Sequence, residues 1–595
     1  MPPRCTASNP AGSDVPEVAR RLSGPEPGQA RALTGLMCLL LVIAACAPPP
    51  QAQRSNTGGE TTRGAPKRLV AGIMGDPPTL RNTVHASGGS GSTPGLDTVE
   101  DFLNVGLSTL DNRGRLLPRL AQAVPTVEDG LWKVAPDGRM ETLWKIRSGA
   151  AWHDGTPFTA QDLAFTLTVG QDRELALFRD SIYDAIESAE IIDPQTFVVR
   201  WREPFIDADR LFGTQTPSVP LPRHVLEQAY LEDKENFAQL PYWGPGFIGT
   251  GPFKLQEFVR GSHLILNAND RYVLGPPKID VIEVRFIPDS STLVANLLAG
   301  AIELSLGRNL SLDQAIQIRD DWKDGRVEAG ATNWVAIYPQ HLNPTPSAIG
   351  DPRFRRALLH SVDRKTLGES LQGGAGTVAH GIQLPDAPEF AAVQQRIVRY
   401  EYDPTGAARL LDEMGFRRGG DGMLREPSGQ RLTVELRNTG LDIEIKSTLA
   451  VADYWQRAGI PTEPAPVPPQ RARDREYRAT YPALELVGNP NNLSSLVRLR
   501  SSQVPLPENN YTGLNRARYA NAELDGLLER YFATIPMPAR MEVLGRIVQH
   551  MSDQVVWMGL FDRLDPAMVG NRVQGVTPRT QDATQGWNVH EWDVK

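Results

Sequence analysis

The chain has 595 residues, a formal charge of −8 at pH 7 and 40% hydrophobic residues, which is an ordinary globular composition. This mildly acidic balance has none of the excess basic charge that nucleic-acid binding requires, so we expect no nucleic-acid partner. A chain of this length exceeds what one hydrophobic core organises, so we expect several domains.

The N-terminal segment has the pattern of a secretory signal. Three arginines precede an apolar run at residues 32–45, which is too short to span a bilayer comfortably and ends in small residues. Cys46 follows directly, in a pattern that resembles the lipobox of bacterial lipoproteins, where the cysteine sulfur carries a diacylglycerol. We therefore expect cleavage before Cys46 and a lipid anchor on it, which places the protein in the periplasm or on the outer face of the cytoplasmic membrane. The alternative is an apolar helix with an incidental cysteine.

The segment after the predicted anchor is rich in Pro, Gly, Ser, Thr and Gln as far as Pro66. Such a composition buries almost no apolar surface, so we expect a flexible tether. The other two cysteines, Cys5 and Cys38, lie inside the predicted signal. The body therefore has no cysteine pair for a disulfide and no cysteine for a metal site or for thiol catalysis.

The first half of the body reads as strands with two helices. Residues 88–95 are Gly- and Ser-rich and predict a loop, and Thr159 is a candidate cap for a helix that begins at Ala160. A second helix is predicted at 291–299. Apolar runs and alternation predict strands at 68–74, 141–147, 197–201, 263–267 and 279–287.

The second half reads as mixed α/β. Pro352 after Asp351 predicts a helix that runs through Arg364, and Asp403-Pro404 predicts another that Gly415 ends. A third long helix is predicted at 443–459, with strands at 432–436 and after Pro461. Turn residues at 417–422 predict a reversal before the first of these strands.

No local motif for catalysis is present. None of the nine histidines stands three to five residues from another, and the sequence has no G-x-S-x-G elbow and no phosphate-binding G-x-x-x-x-G-K-[ST] loop. One G-x-G-x-x-G match, 244–249, leads into a predicted strand where a dinucleotide site needs a helix, so it favours a loop. We therefore assign no catalytic residue, no metal ligand and no cofactor, and these absences alone do not exclude an enzyme.

A series of longer segments resembles family 5 of the extracellular solute-binding proteins, the dipeptide-, oligopeptide- and nickel-binding receptors of ABC importers. The segments follow the family's order between residues 68 and 575. They are 116–121, 143–162, 248–255, 267–280, 299–304, 351–364, 402–411 and 519–525.

The resemblance implies an α/β fold of two lobes on a hinge, similar to periplasmic binding proteins, with an extra subdomain in the first lobe. It implies a monomer that is not an enzyme, binds a peptide or small solute between the lobes and passes it to an ABC permease. An exported hydrolase or chaperone on the same scaffold, or a ligand-presenting signalling receptor, is the alternative. The predicted parts are a signal peptide (1–45), a lipid-anchored linker (46–66), lobe I (67–115 and 215–330), its subdomain (116–214), lobe II (331–554) and a return to lobe I (555–595).

Several segments shared with the family predict structure rather than ligand contact. His153 and Asp154 lie in a W-H-D-G-T-P turn, and Gly249-Thr-Gly-Pro252 constrains the backbone. Three arginines, Arg353, Arg355 and Arg356, predict a helix surface with local ion pairs.

The ligand site departs from the family's pattern. Peptide-binding members present an aspartate to the peptide's α-amine in a stretch like W-x-D-x-x-[DE]-P, but the stretch at 484–495 has Gly488-Asn489 where acids are expected. An asparagine brings no charge, and charge-assisted hydrogen bonds are roughly twice as strong. We therefore expect no charged amine contact in the usual place, although Glu485 nearby is an alternative acid. The candidate ligand-binding residues are Trp334, Tyr338, His341, Glu485, Asn489 and Asn491; simple burial of Trp334 is the alternative. Peptide, opine, sugar, metal chelate and antibiotic all remain open as ligands.

Overall fold

The computed structural model describes residues 65–84, 93–179, 181–308, 310–382, 385, 387–580 and 582–595. The predicted signal peptide, the anchor at Cys46, all but the last two residues of the linker and most of the predicted loop at 88–95 lie outside these residues. Within them, no helix has the length and apolar character that a membrane span requires.

Thirteen α-helices are present in the described part of the chain. They are α1 Leu96–Leu103, α2 Ala160–Gln171, α3 Arg223–Glu232, α4 Ser290–Leu298, α5 Leu312–Arg319, α6 Pro352–His360, α7 Arg364–Leu371, α8 Phe390–Val393, α9 Pro404–Glu413, α10 Asp442–Arg457, α11 Arg475–Ala479, α12 Ala522–Ala533 and α13 Met537–Asp553.

The same residues form twenty strands. They are β1 Arg68–Ile73, β2 Ser108–Leu110, β3 Leu116–Pro118, β4 Trp132–Val134, β5 Met140–Lys145, β6 Ile186–Asp193, β7 Thr196–Trp201, β8 Phe253–Val259, β9 His263–Ala268, β10 Val281–Phe286, β11 Leu304–Ser305, β12 Gly325–Pro339, β13 Arg417–Arg418, β14 Leu424–Arg425, β15 Val434–Asn438, β16 Thr462–Pro466, β17 Leu484–Asn489, β18 Met558–Gly570, β19 Val573–Gln574 and β20 Asp593–Val594.

A ten-stranded mixed sheet organises the molecule, in the order β16-β15-β17-β12-β18-β11-β1-β10-β9-β8. β12 and β18, of 15 and 13 residues, are the longest strands and pair antiparallel with each other. The C-terminal half of β12 pairs with β17, whereas the C-terminal end of β18 pairs with β11. These two strands therefore connect the β16-β15-β17 half of the sheet to the β11-β1-β10-β9-β8 half.

The pairing of the two connecting strands is irregular near its middle. The register shifts between Ala331 and Asn333, so that Thr332 is left out of the ladder. The buried hydroxyl of Thr332 donates a hydrogen bond to Asp565 Oδ2 at 2.6 Å, and the Arg308 Nε lies 3.1 Å from the same oxygen. A bulge bends a strand locally, and here it lies where the chain passes from one half of the sheet to the other.

β1 lies between β11 and β10 and is buried on both faces. Leu69, Ala71 and Ile73 pack in one apolar cluster with Phe102 of α1, whereas Val70 packs against a second cluster beneath α4. Strands covered on both faces read as continuous apolar runs rather than as alternating ones. The prediction of a buried strand from the run at 68–74 is confirmed.

A separate four-stranded sheet, in the order β4-β5-β7-β6, lies within residues 132–201. The helix predicted after Thr159 follows its strand β5 in sequence. Its start is fixed by a capping box, in which the Asp162 carboxylate accepts a hydrogen bond from the Thr159 N–H at 2.9 Å.

The helix predicted to run from Pro352 through Arg364 is wrong in its length, because the chain forms two helices there. α6 ends at His360, and α7 begins at Arg364. The Asp363 carboxylate accepts hydrogen bonds from the N–H and the hydroxyl of Thr366 at 3.0 and 2.8 Å, so it caps a new helix start.

The prediction that three arginines lie on the surface of α6 is wrong for one of them, Arg355. Arg353 is exposed and pairs with Asp351 at 2.7 Å, and Arg356 pairs with Asp553 at 3.0 Å, as expected of local pairs. Arg355 is instead 1% exposed and donates to three main-chain carbonyl oxygens, those of residues 349, 554 and 555. This side chain ties α6 to the start of β18 and faces the core.

The turn at His153 is confirmed as scaffold. Gly249 N–H donates to His153 Nδ1 at 3.2 Å, and Nε2 lies 3.1 Å from the carbonyl oxygen of Gly251. Burial lowers the pKa of His153 to about 4, so the ring is neutral at pH 7. The ring therefore bridges two backbone segments and carries no charge.

Asp101 on α1 is a buried carboxyl whose charge depends on pH near neutrality. Burial raises its pKa to about 7, although hydrogen bonds from Thr584 and Gln215 oppose the shift. Between about pH 4 and about pH 7, Asp101 therefore keeps its proton in the folded state and loses it in the unfolded chain. The free energy of unfolding should therefore fall as the pH rises from about 4 to about 7.

We expect Asp101→Asn to remove this contribution to the pH dependence. Urea denaturation of wild type and variant between pH 4.5 and 8 measures it, with Asp137→Asn, at an exposed turn, as the control. Parallel curves for wild type and Asp101→Asn would show that Asp101 is ionised in the folded state throughout.

Candidate functional site

A cavity of about 310 Å³ is lined by segments that precede β12 and by segments that lie between β12 and β18. The first wall comes from the hairpin between β2 and β3 and from residues 206–210, which follow the four-stranded sheet. The other wall comes from 387–389, from 492–494 immediately after β17, and from the facing ends of α12 and α13, and Asp582 after β18 also lines the cavity. A ligand in the cavity would therefore contact both sets of segments.

Several charged side chains line this cavity, and some of them form no ion pair. Arg115 pairs with Asp111 at 2.7 Å, outside the cavity. Asp209 from one wall and Glu389 and Arg540 from the other have no ion-pair partner among the described residues. Burial and the nearby charge of Asp207 raise the pKa of Asp209 to about 7, and the charges of Arg210 and Arg540 oppose this shift. A carboxyl in this position gains from a cation brought by a ligand.

The predicted residues Trp334 and Tyr338 lie on the same face of β12, and both are buried, at 2% and 4% exposure. Tyr338 stacks on Trp557 with ring centres 4.9 Å apart, and Trp334 meets Trp557 edge-on at 6.0 Å. Asn489 donates from Nδ2 to the Tyr338 hydroxyl at 3.1 Å. The structure therefore brings these three together, with Trp334 and Tyr338 buried and Asn489 half-buried, and none of them lines the cavity.

Glu485 is completely buried and already neutralised. Its Oε1 accepts a hydrogen bond from Arg478 Nη2 at 3.0 Å, and its Oε2 pairs with Arg516. Two guanidinium groups leave this carboxylate no capacity for a ligand's amine. It lies four residues before Asn489 on β17, away from the cavity.

His341 and Asn491 also make contacts within the protein. His341 Nε2 lies 3.1 Å from the carbonyl oxygen of Val556, and burial lowers its pKa to about 3. Asn491 is 1% exposed and donates to the carbonyl oxygen of Gly381 at 3.3 Å. Ligand contact by any of the six predicted residues is untested and stays a prediction.

The sequence reasoning missed the residues that do line the cavity. Asn492 and Ser494 belong to the stretch identified as divergent, so the region was found but not its exposed members. Asp209, Glu389 and Arg540 carry no local signal, because they are distant in sequence and no periodicity or motif joins them. The described residues also contain no group of three or more His, Cys, Asp or Glu side chains placed to hold a metal ion.

Comparison with known proteins agrees with this architecture. Residues 122–497 match the family model described as bacterial extracellular solute-binding proteins, family 5 middle. The oligopeptide-binding protein AppA of Bacillus subtilis is 26% identical over 513 residues, which cover 84% of this chain and 86% of that protein.

Solved structures show the same fold. AppA from Bacillus subtilis in complex with a nonapeptide superposes with a TM-score of 0.64 and 21% identity, over 89% of this chain and all of that one. NikZ from Campylobacter jejuni in complex with Ni(L-His) superposes with a TM-score of 0.66 and 20% identity, over 88% and 99% of the two chains.

Proposed function

Since this chain belongs to family 5 of the bacterial extracellular solute-binding proteins, we propose that it is the substrate-binding lipoprotein of an ABC importer. In this proposal it captures a peptide or a related small solute between two lobes and delivers it to a membrane permease. It acts as a monomer, held by a lipid on Cys46 in the periplasm or on the outer face of the cytoplasmic membrane, and it does not turn its ligand over.

The observation that carries the proposal is the cavity with one wall from segments before β12 and the other from segments between β12 and β18, which we assign to lobe I and lobe II. A ligand in such a cavity contacts both lobes only when they are closed, so its higher affinity for the closed form shifts the population towards closure. The bulged strands β12 and β18 supply the hinge, because they connect the two lobes. We place lobe II at residues 331–554, with lobe I formed by the segments on either side and extended by the subdomain at 116–214.

The charges of the cavity favour a ligand with a cationic and an anionic group. Asp209 and Glu389 are acids that line the cavity and have no ion-pair partner in the described structure. Arg540 is a cation that lines the cavity and also has no ion-pair partner there. Peptides carry both charges. Because Asn489 is neutral and Glu485 is held by two arginines, we propose that a ligand's ammonium group contacts Asp209 and Glu389 instead of the 484–492 stretch.

Native mass spectrometry of the protein purified from its host tests the function. We expect a small solute that co-purifies at one per chain, is released on denaturation and carries a cationic group. Turnover of that solute by the purified protein would contradict the binding function, whereas a solute without a cation would contradict only the role of Asp209 and Glu389.

Replacement of the predicted anchor tests the localisation. We expect Cys46→Ser to move the protein from the membrane fraction to the soluble fraction, because one acyl-modified cysteine supplies the proposed attachment. Cys38→Ser, within the apolar run, is the matched control and should leave fractionation unchanged. Wild-type protein in the membrane fraction with no lipid mass on Cys46 would rule out this anchor.

A further inference from the structure

A second pocket, of about 250 Å³, lies on the surface of lobe II between α11 and the segment 505–516. It shares no lining residue with the inter-lobe cavity. Four of its lining residues are arginines, Arg473, Arg475, Arg478 and Arg516, and no acidic residue lines it.

The positive charge of this arginine pocket is only partly balanced. Glu485, which is buried, pairs with both Arg478 and Arg516, and the charge of Glu444 also acts on Arg478. Arg473 and Arg475 are exposed and have no ion-pair partner in the described part of the chain. Of the two acids on either side of Arg475, Asp474 pairs with Arg471 at 2.8 Å, and Glu476 accepts a hydrogen bond at 3.1 Å from the hydroxyl of Tyr511, which lines the pocket.

One donor in the pocket is buried without a partner. The Nε of Arg478 is inaccessible to solvent and has no hydrogen-bond acceptor among the described atoms. Burial and the neighbouring charge of Arg516 lower the pKa of Arg478, whereas Glu485 and Glu444 oppose this shift. An anion in the pocket would offset the repulsion between the arginines, and buried donors are rarely left unpaired without a reason.

The chain that closes the pocket has an unusual backbone. Asn510 and Tyr511 are consecutive residues with positive φ, at 51° and 55°. Left-handed backbone at non-glycine residues is unfavourable and persists where surrounding structure imposes it. Here Tyr511 lines the pocket, and its hydroxyl contacts Glu476 of α11.

From these contacts we infer that the arginine pocket binds a phosphate group, either as free phosphate or as a phosphate monoester. Planar guanidinium groups donate paired hydrogen bonds that match phosphate oxygens, and several of them together neutralise a dianion. The pocket volume holds a phosphate with room for a substituent. This site is independent of solute capture in the inter-lobe cavity.

Isothermal titration calorimetry with inorganic phosphate at 150 mM NaCl tests the inference on the purified lipid-free protein. We expect a Kd of about 1 mM or tighter, weakened at least tenfold in Arg473→Ala/Arg475→Ala. The matched control Arg409→Ala/Arg417→Ala removes two exposed arginines elsewhere in lobe II and should leave the Kd unchanged.

Sedimentation with vesicles separates the two sources of the phosphate group. Binding to phosphatidic acid vesicles but not to phosphatidylcholine vesicles, lost in the Arg473/Arg475 variant, would assign the site to a lipid headgroup. Binding of free phosphate alone would assign it to a soluble ligand. Failure to bind either, or binding that does not depend on Arg473 and Arg475, would overturn the inference.

Discussion

Glu485→Gln should lower the free energy of unfolding by about 3–5 kcal/mol, because it removes the shared counter-charge of two arginines. Glu485 is fully buried, and the side chains of Arg478 and Arg516 are only 19% and 27% exposed. The neutral amide would leave two guanidinium groups close together in a poorly solvated place. Equilibrium urea denaturation measures the loss.

Two further variants make this prediction specific. Glu190→Gln removes an exposed carboxylate that pairs with Arg200 at 2.9 Å, and should change stability by less than about 1 kcal/mol. Arg516→Gln in the Glu485→Gln background should restore part of the lost stability, since one unpaired cation is removed with the anion. A Glu485→Gln variant as stable as wild type would mean that water or another acid already compensates the arginines.

Gly249→Ala should destabilise the fold by about 3 kcal/mol, at the upper end of what overpacking costs. A Cβ at this position would overlap the carbonyl oxygen of Leu103, at the end of α1, and backbone atoms have no alternative rotamer. The same glycine donates its N–H to His153, so a shift of the backbone would also break that contact. Thermal and urea denaturation provide the measurement.

Gly420→Ala is the matched control for this glycine. It is exposed, its φ is not in the left-handed region, and a Cβ there has no neighbour within 4 Å. Its effect should stay within about 0.5 kcal/mol. Equal stability of Gly249→Ala and Gly420→Ala would contradict the assignment of the Gly249-Thr-Gly-Pro252 segment as a close contact between backbones.

The sequence predicted the starts of helices well where a single capping residue fixes the start. The capping box at Thr159 and the Asp-Pro start of α9 fix helix starts through contacts within four residues. The end of α6 was missed, because the cap that starts a new helix at Asp363 lies inside a continuous apolar and cationic pattern. The two-lobed fold was predicted from the segments that resemble the family, because local patterns alone do not determine it.

The candidate site was much less predictable, because its geometry depends on contacts between distant residues. Trp334 and Tyr338 have the composition of a binding surface, but Trp557, far along the chain, covers both. The sequence alone shows Glu485 as an acid without a partner, because Arg516, with which it pairs in the structure, lies 31 residues away. The pKa of Asp209 is raised by burial and by the charge of Asp207 in a wall of the cavity, and no sequence pattern predicts this environment.

We propose that the two lobes close on a solute held between them, with β12 and β18 as the hinge. Small-angle X-ray scattering of the ligand-free protein, before and after addition of the co-purified solute at saturating concentration, tests it most directly. We expect the radius of gyration to fall on binding, with a stoichiometry of one solute per chain. A solute that binds at this stoichiometry and leaves the scattering curve unchanged would contradict closure around the inter-lobe cavity.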